Sequence, residues 1–135
     1  MARWLWSQLM LVVSDVEAST RFYCDVFGFE SGHGGKEYDQ LIHDGEMVMQ
    51  LHDHDTADHH GALRDDEAPV GNGVLVWFEV AEFDEVVHRA RTLGVEIVQD
   101  VHVNPNARQP EFWFRDPDGY LVVAAGESEF RRRSS

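Results

Sequence analysis

The sequence predicts an α+β fold made of two tandem βαβββ modules. The order strand, helix, strand, strand, strand can be traced twice along the 135 residues. The two helices end on similar segments, Phe27-Gly28-Phe29-Glu30 and Leu93-Gly94-Val95-Glu96, which lie 66 residues apart. Repetition with matching turn residues is stronger evidence for a duplicated unit than any single element is.

The first module is predicted to cover about residues 6–52 and to open with a strand and a helix. Residues 6–13 are mostly apolar, which is typical of a buried strand. Ser14 and Glu17 have the spacing of a capping box, so we expect the helix to begin there. Gly28 is expected to end it in the left-handed conformation. The predicted apolar face of this helix comprises Phe22, Tyr23, Val26 and Phe27.

Three short strands are predicted after this helix, near residues 29–33, 37–43 and 46–52. Between the last two, Asp44-Gly45 is a strong signal for a two-residue hairpin turn. A polar connector follows at roughly residues 53–73, rich in Asp, His and Gly. Long polar segments of this kind are typically loops.

The second module is predicted over about residues 74–126, so that one domain spans residues 1–135. It opens with a strand at residues 74–80, followed by a helix that Gly94 ends. The Pro and Gly of Asp116-Pro117-Asp118-Gly119 favour a turn. The apolar stripe of the helix is Phe83, Val86, Val87, Ala90 and Leu93, and later strands are expected near 95–101, 111–115 and 120–125.

Composition restricts the partners. A net charge of −14 disfavours nucleic acid and anionic membrane surfaces, because phosphate binding needs clustered Lys and Arg. The acidity fits a cationic partner or ligand, and solubility alone is the simpler explanation. We expect no membrane segment, because no apolar run approaches the roughly 20 residues that a membrane helix needs. The single cysteine, Cys24, is consistent with a reducing cytoplasm.

Three motifs together are similar to a known superfamily. Val13-Ser14-Asp15 leads into Arg21-Phe22-Tyr23, a helix ends with Leu93-Gly94-Val95, and residues 114–120 read Phe-Arg-Asp-Pro-Asp-Gly-Tyr. In this order and spacing they span about residues 6–126 and resemble the glyoxalase/bleomycin resistance protein/dioxygenase (vicinal-oxygen-chelate) superfamily. The resemblance implies a cupped mixed sheet that holds a small molecule and often a divalent metal. It also implies a homodimer.

The resemblance places four metal-ligating positions of that superfamily at Gln8, Gln50, Leu75 and Val123. Leu and Val have no lone pair to offer, and neutral amides are poor partners for a dication. We therefore expect no metal at the usual place and no cofactor. Two uses for the glutamines stay open: they bond each other or a water, or they orient a bound ligand.

Further candidate ligand-binding residues lie in the second module. Trp77 and Glu79 alternate with Leu75 and should share its face of the strand, where a carboxylate beside an indole can bind a cation or act as a base. An edge or dimer-contact position is the alternative for both. Trp113 is a candidate aromatic wall or an ordinary core residue.

Residues 101–110 contain two prolines and are expected to form a rigid, extended loop that lines the site. His102 and Arg108 belong to this segment. His102 is a candidate acid or base. Arg108 is a candidate clamp for a carboxylate, and the alternative is an ion pair with a surface acid.

The connector carries the densest group of potential metal ligands, and its histidines start at the end of the first module. We interpret this group as a solvated loop, with a metal site as the alternative, because no matching ligand set is evident elsewhere. The histidines are His52, His54, His59 and His60.

These observations predict a small-molecule-binding protein whose ligand is cationic or aromatic. The alternative is a lyase, isomerase or dioxygenase of the same fold. Such an enzyme needs a metal from the connector histidines or metal-free acid–base chemistry by Glu79 or His102. A structural or regulatory dimer with an empty cup is a third possibility.

Overall fold

The computed structural model describes residues 7–54, 64–65 and 67–129. The connector histidines His59 and His60 lie outside the described residues. The elements, in chain order, are β1 (Leu9–Val13), α1 (Val16–Phe27), β2 (Glu30–Ser31), β3 (Tyr38–His43), β4 (Glu46–Asp53), β5 (Leu75–Glu79), α2 (Phe83–Leu93), β6 (Ile97–Asn104), β7 (Gln109–Arg115) and β8 (Leu121–Ala125).

These elements confirm the predicted α+β fold with two βαβββ modules. Each module forms a four-stranded mixed sheet, in the orders β1-β4-β3-β2 and β5-β8-β7-β6. The first and last strands of each module pair in parallel, and the other neighbours are antiparallel. Among the described residues no strand pairing closes either sheet.

The chain divides into two compact units, residues 1–24 with 28–65, and residues 25–27 with 66–135. Their boundary falls inside the predicted connector. The assignment of residues 1–135 to a single domain stays a prediction. None of the helices in the described part of the chain is long and apolar enough to cross a membrane.

In the first unit, α1 covers one face of the sheet. The hydroxyl of Thr20 on α1 donates to Asp39 on β3 at 2.9 Å, which identifies the side of the sheet on which the helix lies. Residues on alternate positions of a strand share a face. The buried apolar side chains of this face are Leu11, Val13, Leu41, Met49 and Leu51.

In the second unit, α2 marks the covered face in the same way. The guanidinium of Arg91 lies 5.2 Å from the centre of the Phe112 ring on β7. Phe112 and its alternate neighbour Phe114 are fully buried, and their rings lie 5.4 Å apart. We call the opposite side of each sheet, away from its own module's helix, the far face.

Most of the predicted helix ends and turns are confirmed. Gly28 and Gly94 end the helices with φ of 77° at both positions. Asp44 and Gly45 have φ of 51° and 79°, as a two-residue hairpin turn with two left-handed residues requires. Gly119 has φ of 95° in the predicted turn.

Two local predictions are wrong. The residue that caps α1 is Asp15, whose carboxylate accepts from the backbone N–H of Ala18 at 3.0 Å, and not Ser14. Ser and Asp are both good capping residues, so the sequence alone did not separate them. The strand expected at residues 29–33 is only Glu30–Ser31, because the chain turns away at Gly32 to His33 and Gly34, whose backbone N–H groups donate to Asp39.

The extended loop predicted at residues 101–110 is also wrong. β6 continues to Asn104 and β7 begins at Gln109, so only residues 105–108 form a turn. Pro110 pairs with Val103 inside the hairpin and accepts from the backbone N–H of Gly126 at 2.9 Å. A proline is compatible with a strand where its nitrogen takes no part in the hydrogen-bond ladder. Because β6 extends to Asn104, His102 is a strand residue and not a loop residue.

Candidate ligand-binding faces

The far face of the second sheet brings together most of the predicted ligand residues. Cα partners on adjacent strands place their side chains on the same face. In one row across the sheet, Val123 of β8 pairs with Trp77 on one side and with Trp113 on the other. The next row contains Glu79, Ala125, Glu111 and His102.

Glu111 is the centre of this face and was missed by sequence reasoning. Its side chain is only 2% exposed. One oxygen, Oε1, accepts from the indole N–H of Trp113 at 2.9 Å, and Oε2 accepts from the amide of Asn104 at 2.9 Å. The signal that could have identified Glu111 is its alternation with Trp113 in the strand predicted at residues 111–115.

His102 lies beside the same carboxylate. Its Nε2 is 3.4 Å from Oε1 of Glu111, and its Nδ1 is 2.9 Å from the carbonyl oxygen of Asp100. A carbonyl oxygen only accepts hydrogen bonds, so the contact with Asp100 requires a proton on Nδ1. His102 is therefore oriented by its own strand and presents Nε2 to Glu111.

Glu79 is tied to β7 through a glutamine. Gln109, only 1% exposed, donates from Nε2 to Oε1 of Glu79 at 3.1 Å and to the carbonyl oxygen of Gly126 at 2.8 Å. Trp77 and Leu75, earlier on the same strand, are 39% and 46% exposed. The two carboxylates are thus fixed, while the indole of Trp77 is accessible.

Two other predicted residues have different positions. Val123 lies between the two tryptophans in the same row and is fully buried, so its side chain is not accessible. Arg108 lies in the turn between β6 and β7, with φ of 45°. Its guanidinium is 3.5 Å from the carboxylate of Glu129, and both side chains are exposed. This contact corresponds to the alternative of a surface ion pair.

The far face of the first sheet is polar and uncharged around Gln50. The hydroxyl of Tyr38 donates to Oε1 of Gln50 at 2.6 Å, and Nε2 of Gln40 donates to the same hydroxyl at 3.2 Å. Gln8 precedes β1 and is exposed. The partner of Gln50 is therefore Tyr38, a residue that sequence reasoning did not single out.

The two connector histidines that the structure describes contact backbone carbonyls. His52, only 3% exposed, has Nδ1 2.7 Å from the carbonyl oxygen of Asp53. His54 has Nδ1 3.4 Å from the carbonyl oxygen of Val13. Within residues 7–54, 64–65 and 67–129, no three His, Cys, Asp or Glu side chains come together as a possible metal site.

The four residues at which the resemblance predicts the superfamily's metal ligands do not fit a dication. Leu75 and Val123 carry no donor atom, and Val123 is fully buried. The oxygen of Gln50, its one atom suited to a metal, already accepts from Tyr38. An isolated amide such as Gln8 cannot replace the carboxylate or imidazole ligands that such ions require.

Another buried carboxylate, Asp39, has a structural function. It accepts from the hydroxyls of Thr20 and Ser31 and from the backbone N–H groups of Gly34 and Gln40, at 2.7 to 2.9 Å. Burial alone would raise the pKa of Asp39, but these hydrogen bonds outweigh it and hold the pKa below its ordinary value. Asp39 thereby fastens the loop after β2 to β3 and α1.

Two surface depressions lie away from the far faces. One, of about 410 Å³, is lined by Phe83, Val101 and Pro110 with acidic residues around them. The other, of about 220 Å³, adjoins Asp39 and Thr20. Neither contains a predicted ligand residue. Polar side chains and indoles converge on the far faces instead.

The chain belongs to the glyoxalase/bleomycin resistance protein/dioxygenase superfamily, whose sequence profile matches residues 6–124. No curated protein matches the sequence significantly. Family membership agrees with the paired modules described above.

Solved structures show the same fold at low sequence identity. A protein of unknown function from Agrobacterium tumefaciens superposes with a TM-score of 0.75 at 20% identity, covering 94% of this chain and 97% of that one. A glyoxalase/bleomycin resistance protein/dioxygenase from Nocardioides gives 0.72 at 23% identity, covering 100% and 91%. TioX from Micromonospora gives 0.69 at 18% identity, covering 88% and 95%. At such identities the likeness shows the fold alone.

Proposed function

We propose that this protein binds an organic small molecule, cationic or aromatic, on the far faces of its sheets, without a metal at the superfamily's usual position. The observation that carries the proposal is the far face of the second sheet. There Trp77 and Trp113 flank Val123, and Glu79 and Glu111 occupy the adjacent row. An indole and a nearby carboxylate both attract an organic cation.

The arrangement favours binding because its parts are held in place before a ligand arrives. Glu111 fixes the indole of Trp113, and Gln109 fixes Glu79. A preorganised face loses less conformational freedom on binding than a mobile one does. The net charge of −14 also attracts cations and repels anions.

Choline and its neutral isostere 3,3-dimethylbutan-1-ol test this proposal. We expect choline to bind more tightly and to shift the indole N–H resonances of Trp77 and Trp113 in a saturable way. Trp77→Ala should weaken choline binding by about two- to thirtyfold, the range of a cation–π contact. Leu93→Ala, which removes another exposed apolar side chain, serves as the control. Equal affinity for the two probes would refute the cationic ligand.

Metal analysis of tag-free protein, purified without a metal column, tests the second part of the proposal. We expect less than one equivalent of any transition metal. A full equivalent of iron, manganese, nickel or zinc that survives chelation would favour the metal-dependent enzyme instead.

A metal-free enzyme is the second candidate, supported by the contact between His102 and Glu111. A histidine oriented by a backbone carbonyl and placed beside a carboxylate is an arrangement that can transfer protons. Glu79 is the other candidate base. The metal-free enzyme would be favoured if the protein catalysed a reaction and His102→Gln abolished that activity while choline binding remained.

We further propose a homodimer in a reducing cytoplasm that binds neither nucleic acid nor membranes. The proposal is supported by the superfamily, in which two chains commonly share a cup, by the single Cys24 and by the acidic charge. Sedimentation of a monomer at micromolar concentration would contradict the dimer.

A further inference from the structure

We propose that Tyr38, Gln40 and Gln50 form a recognition element for a planar ligand edge that carries a hydrogen-bond donor next to an acceptor, as in a lactam, a cyclic imide or a 2-pyridone. This inference rests on the proposed function, since it requires that the far face of the first sheet contacts the ligand. It adds the chemical group that this face selects.

The three side chains come together through the register of two neighbouring strands. Tyr38 and Gln40 alternate along β3, and Gln40 is the Cα partner of Gln50 on β4. All three therefore project from the same face, and each is half-buried. Two glutamines directly opposite each other place their amides within reach of one phenol.

The phenol fixes the orientation of both amides. A hydroxyl has a single proton. The Tyr38 oxygen accepts from Nε2 of Gln40 at 3.2 Å, and its proton goes to Oε1 of Gln50 at 2.6 Å. One amide is therefore held by its nitrogen and the other by its oxygen.

The remaining atom of each amide then has opposite polarity. Nε2 of Gln50 is a donor and Oε1 of Gln40 is an acceptor, and neither has a partner among the residues that the structure describes. Neither atom is among the buried, unpaired polar atoms found in the same residues, so both are accessible. If both amides were turned over, the donor and the acceptor would exchange places and the pair would persist.

Two neighbouring rings restrict the motion of Tyr38, and the polar groups of the element itself are neutral. The Tyr38 ring makes edge contacts with His33 at 5.2 Å and His52 at 6.4 Å between ring centres. Paired neutral amides suit an uncharged polar edge, and the acidic protein disfavours a carboxylate in that position. A lactam edge offers one N–H and one C=O in the complementary order.

Two probes that differ by one methyl group test the inference in the unaltered protein. 2-Pyridone has an adjacent N–H and C=O, whereas N-methyl-2-pyridone has only the acceptor. We expect 2-pyridone to bind about fivefold more tightly, the contribution of one net hydrogen bond. The affinity is measured from the backbone amide shifts of β3 and β4. Equal affinity of the two probes overturns the inference, whatever the variants do.

Two variants assign the preference to the element. Gln40→Met removes the acceptor for the pyridone N–H and keeps the length of the side chain, and Tyr38→Phe removes the hydroxyl that orients both amides and keeps the ring. We expect both to lose the preference for 2-pyridone while retaining the melting behaviour of the wild type. Gln99→Met, the same chemical change at an exposed position of β6, should keep the preference. A preference that survives in either Gln40→Met or Tyr38→Phe overturns the assignment.

The choline experiment separates this inference from the proposed function. Choline reports on the tryptophans of the second sheet, and 2-pyridone reports on β3 and β4. Choline binding without a pyridone preference overturns the recognition element alone. Loss of both responses overturns the proposed function as well.

Discussion

The two modules share their strand pairing but differ sharply on their far faces. In the first sheet, Gln50 and Gln40 are Cα partners, and Tyr38 bonds both. In the second sheet, the corresponding pair is Val123 and Trp113. The position that corresponds to Tyr38 is occupied by Glu111. The first far face thus carries neutral amides at its central pair, whereas the second carries two carboxylates, the buried Glu111 and the half-buried Glu79.

This difference indicates which part of a duplicated fold carries specificity. The helix-covered faces of both sheets bury apolar side chains and are constrained by packing. The far faces have no such requirement, so each module can carry its own hydrogen-bonding groups there. A ligand that contacts the first far face therefore meets different chemical groups from one that contacts the second. The stability of each module should likewise depend on its own polar residues.

The largest loss of stability is expected on replacing Glu111, where the difference between the modules is greatest. Glu111→Leu removes the acceptor for the indole N–H of Trp113 and for the amide of Asn104. Two donors then lose their partner in a buried place, at about 1–3 kcal/mol each. We expect the free energy of unfolding, measured in urea, to fall by about 3 kcal/mol.

Glu111→Gln keeps one acceptor oxygen and should lose less, about 1 kcal/mol. Glu96→Leu, at an exposed position of the same unit, is the matched control and should change stability by less than about 0.5 kcal/mol. If Glu111→Leu unfolds at the same urea concentration as Glu96→Leu, Glu111 does not organise the second far face.

The next largest loss of stability is expected on replacing Asp39, the buried carboxylate on the helix side of the first sheet. Its pKa in the folded protein lies below the ordinary value of 3.8. Its contribution to stability is therefore complete above that value and is lost as the pH falls through the folded pKa. Asp39→Asn should lower the free energy of unfolding by about 1–2 kcal/mol at pH 7, as expected for hydrogen bonds to a charged group.

The pH dependence distinguishes this effect from simple loss of packing. The difference between wild type and Asp39→Asn should shrink in urea titrations as the pH falls from about 4 through the folded pKa of Asp39, because the carboxyl group is then protonated and neutral like the amide. Asp44→Asn, at an exposed turn position, is the control and should not alter the acid limb. A difference that is the same at pH 7 and pH 2.5 would show that the charge of Asp39 is unimportant.

The sequence was sufficient to predict the features that depend only on residues adjacent along the chain. Gly28 and Gly94 end helices, and Asp44-Gly45 makes a hairpin, because each needs only a local positive φ. The order of elements also follows from local periodicity. The fold class could therefore be predicted from residues within a few positions of each other.

The candidate site was less predictable because its contacts cross strands. Whether Tyr38 meets Gln50, or Glu111 meets His102, depends on register, and β-bulges shift the register in both modules. Tyr38 and Glu111 carry no motif of their own, and strand alternation indicates which face they share with their neighbours but not which side chain they contact on the next strand. The loop at residues 101–110 was mispredicted because Pro110 can occupy a strand when its nitrogen lies off the ladder.

The smallest effect is expected where the two helices begin, since the modules differ there too. Asp15 caps α1 with its side chain, whereas Glu82 at the start of α2 makes no side-chain capping bond. Asp15→Ala should therefore destabilise the protein by about 1 kcal/mol in thermal or urea unfolding. Glu82→Ala should be close to neutral by the same measurement. Equal losses for the two variants would mean that the cap of Asp15 contributes nothing beyond helix propensity, and that the difference between the modules is confined to their far faces.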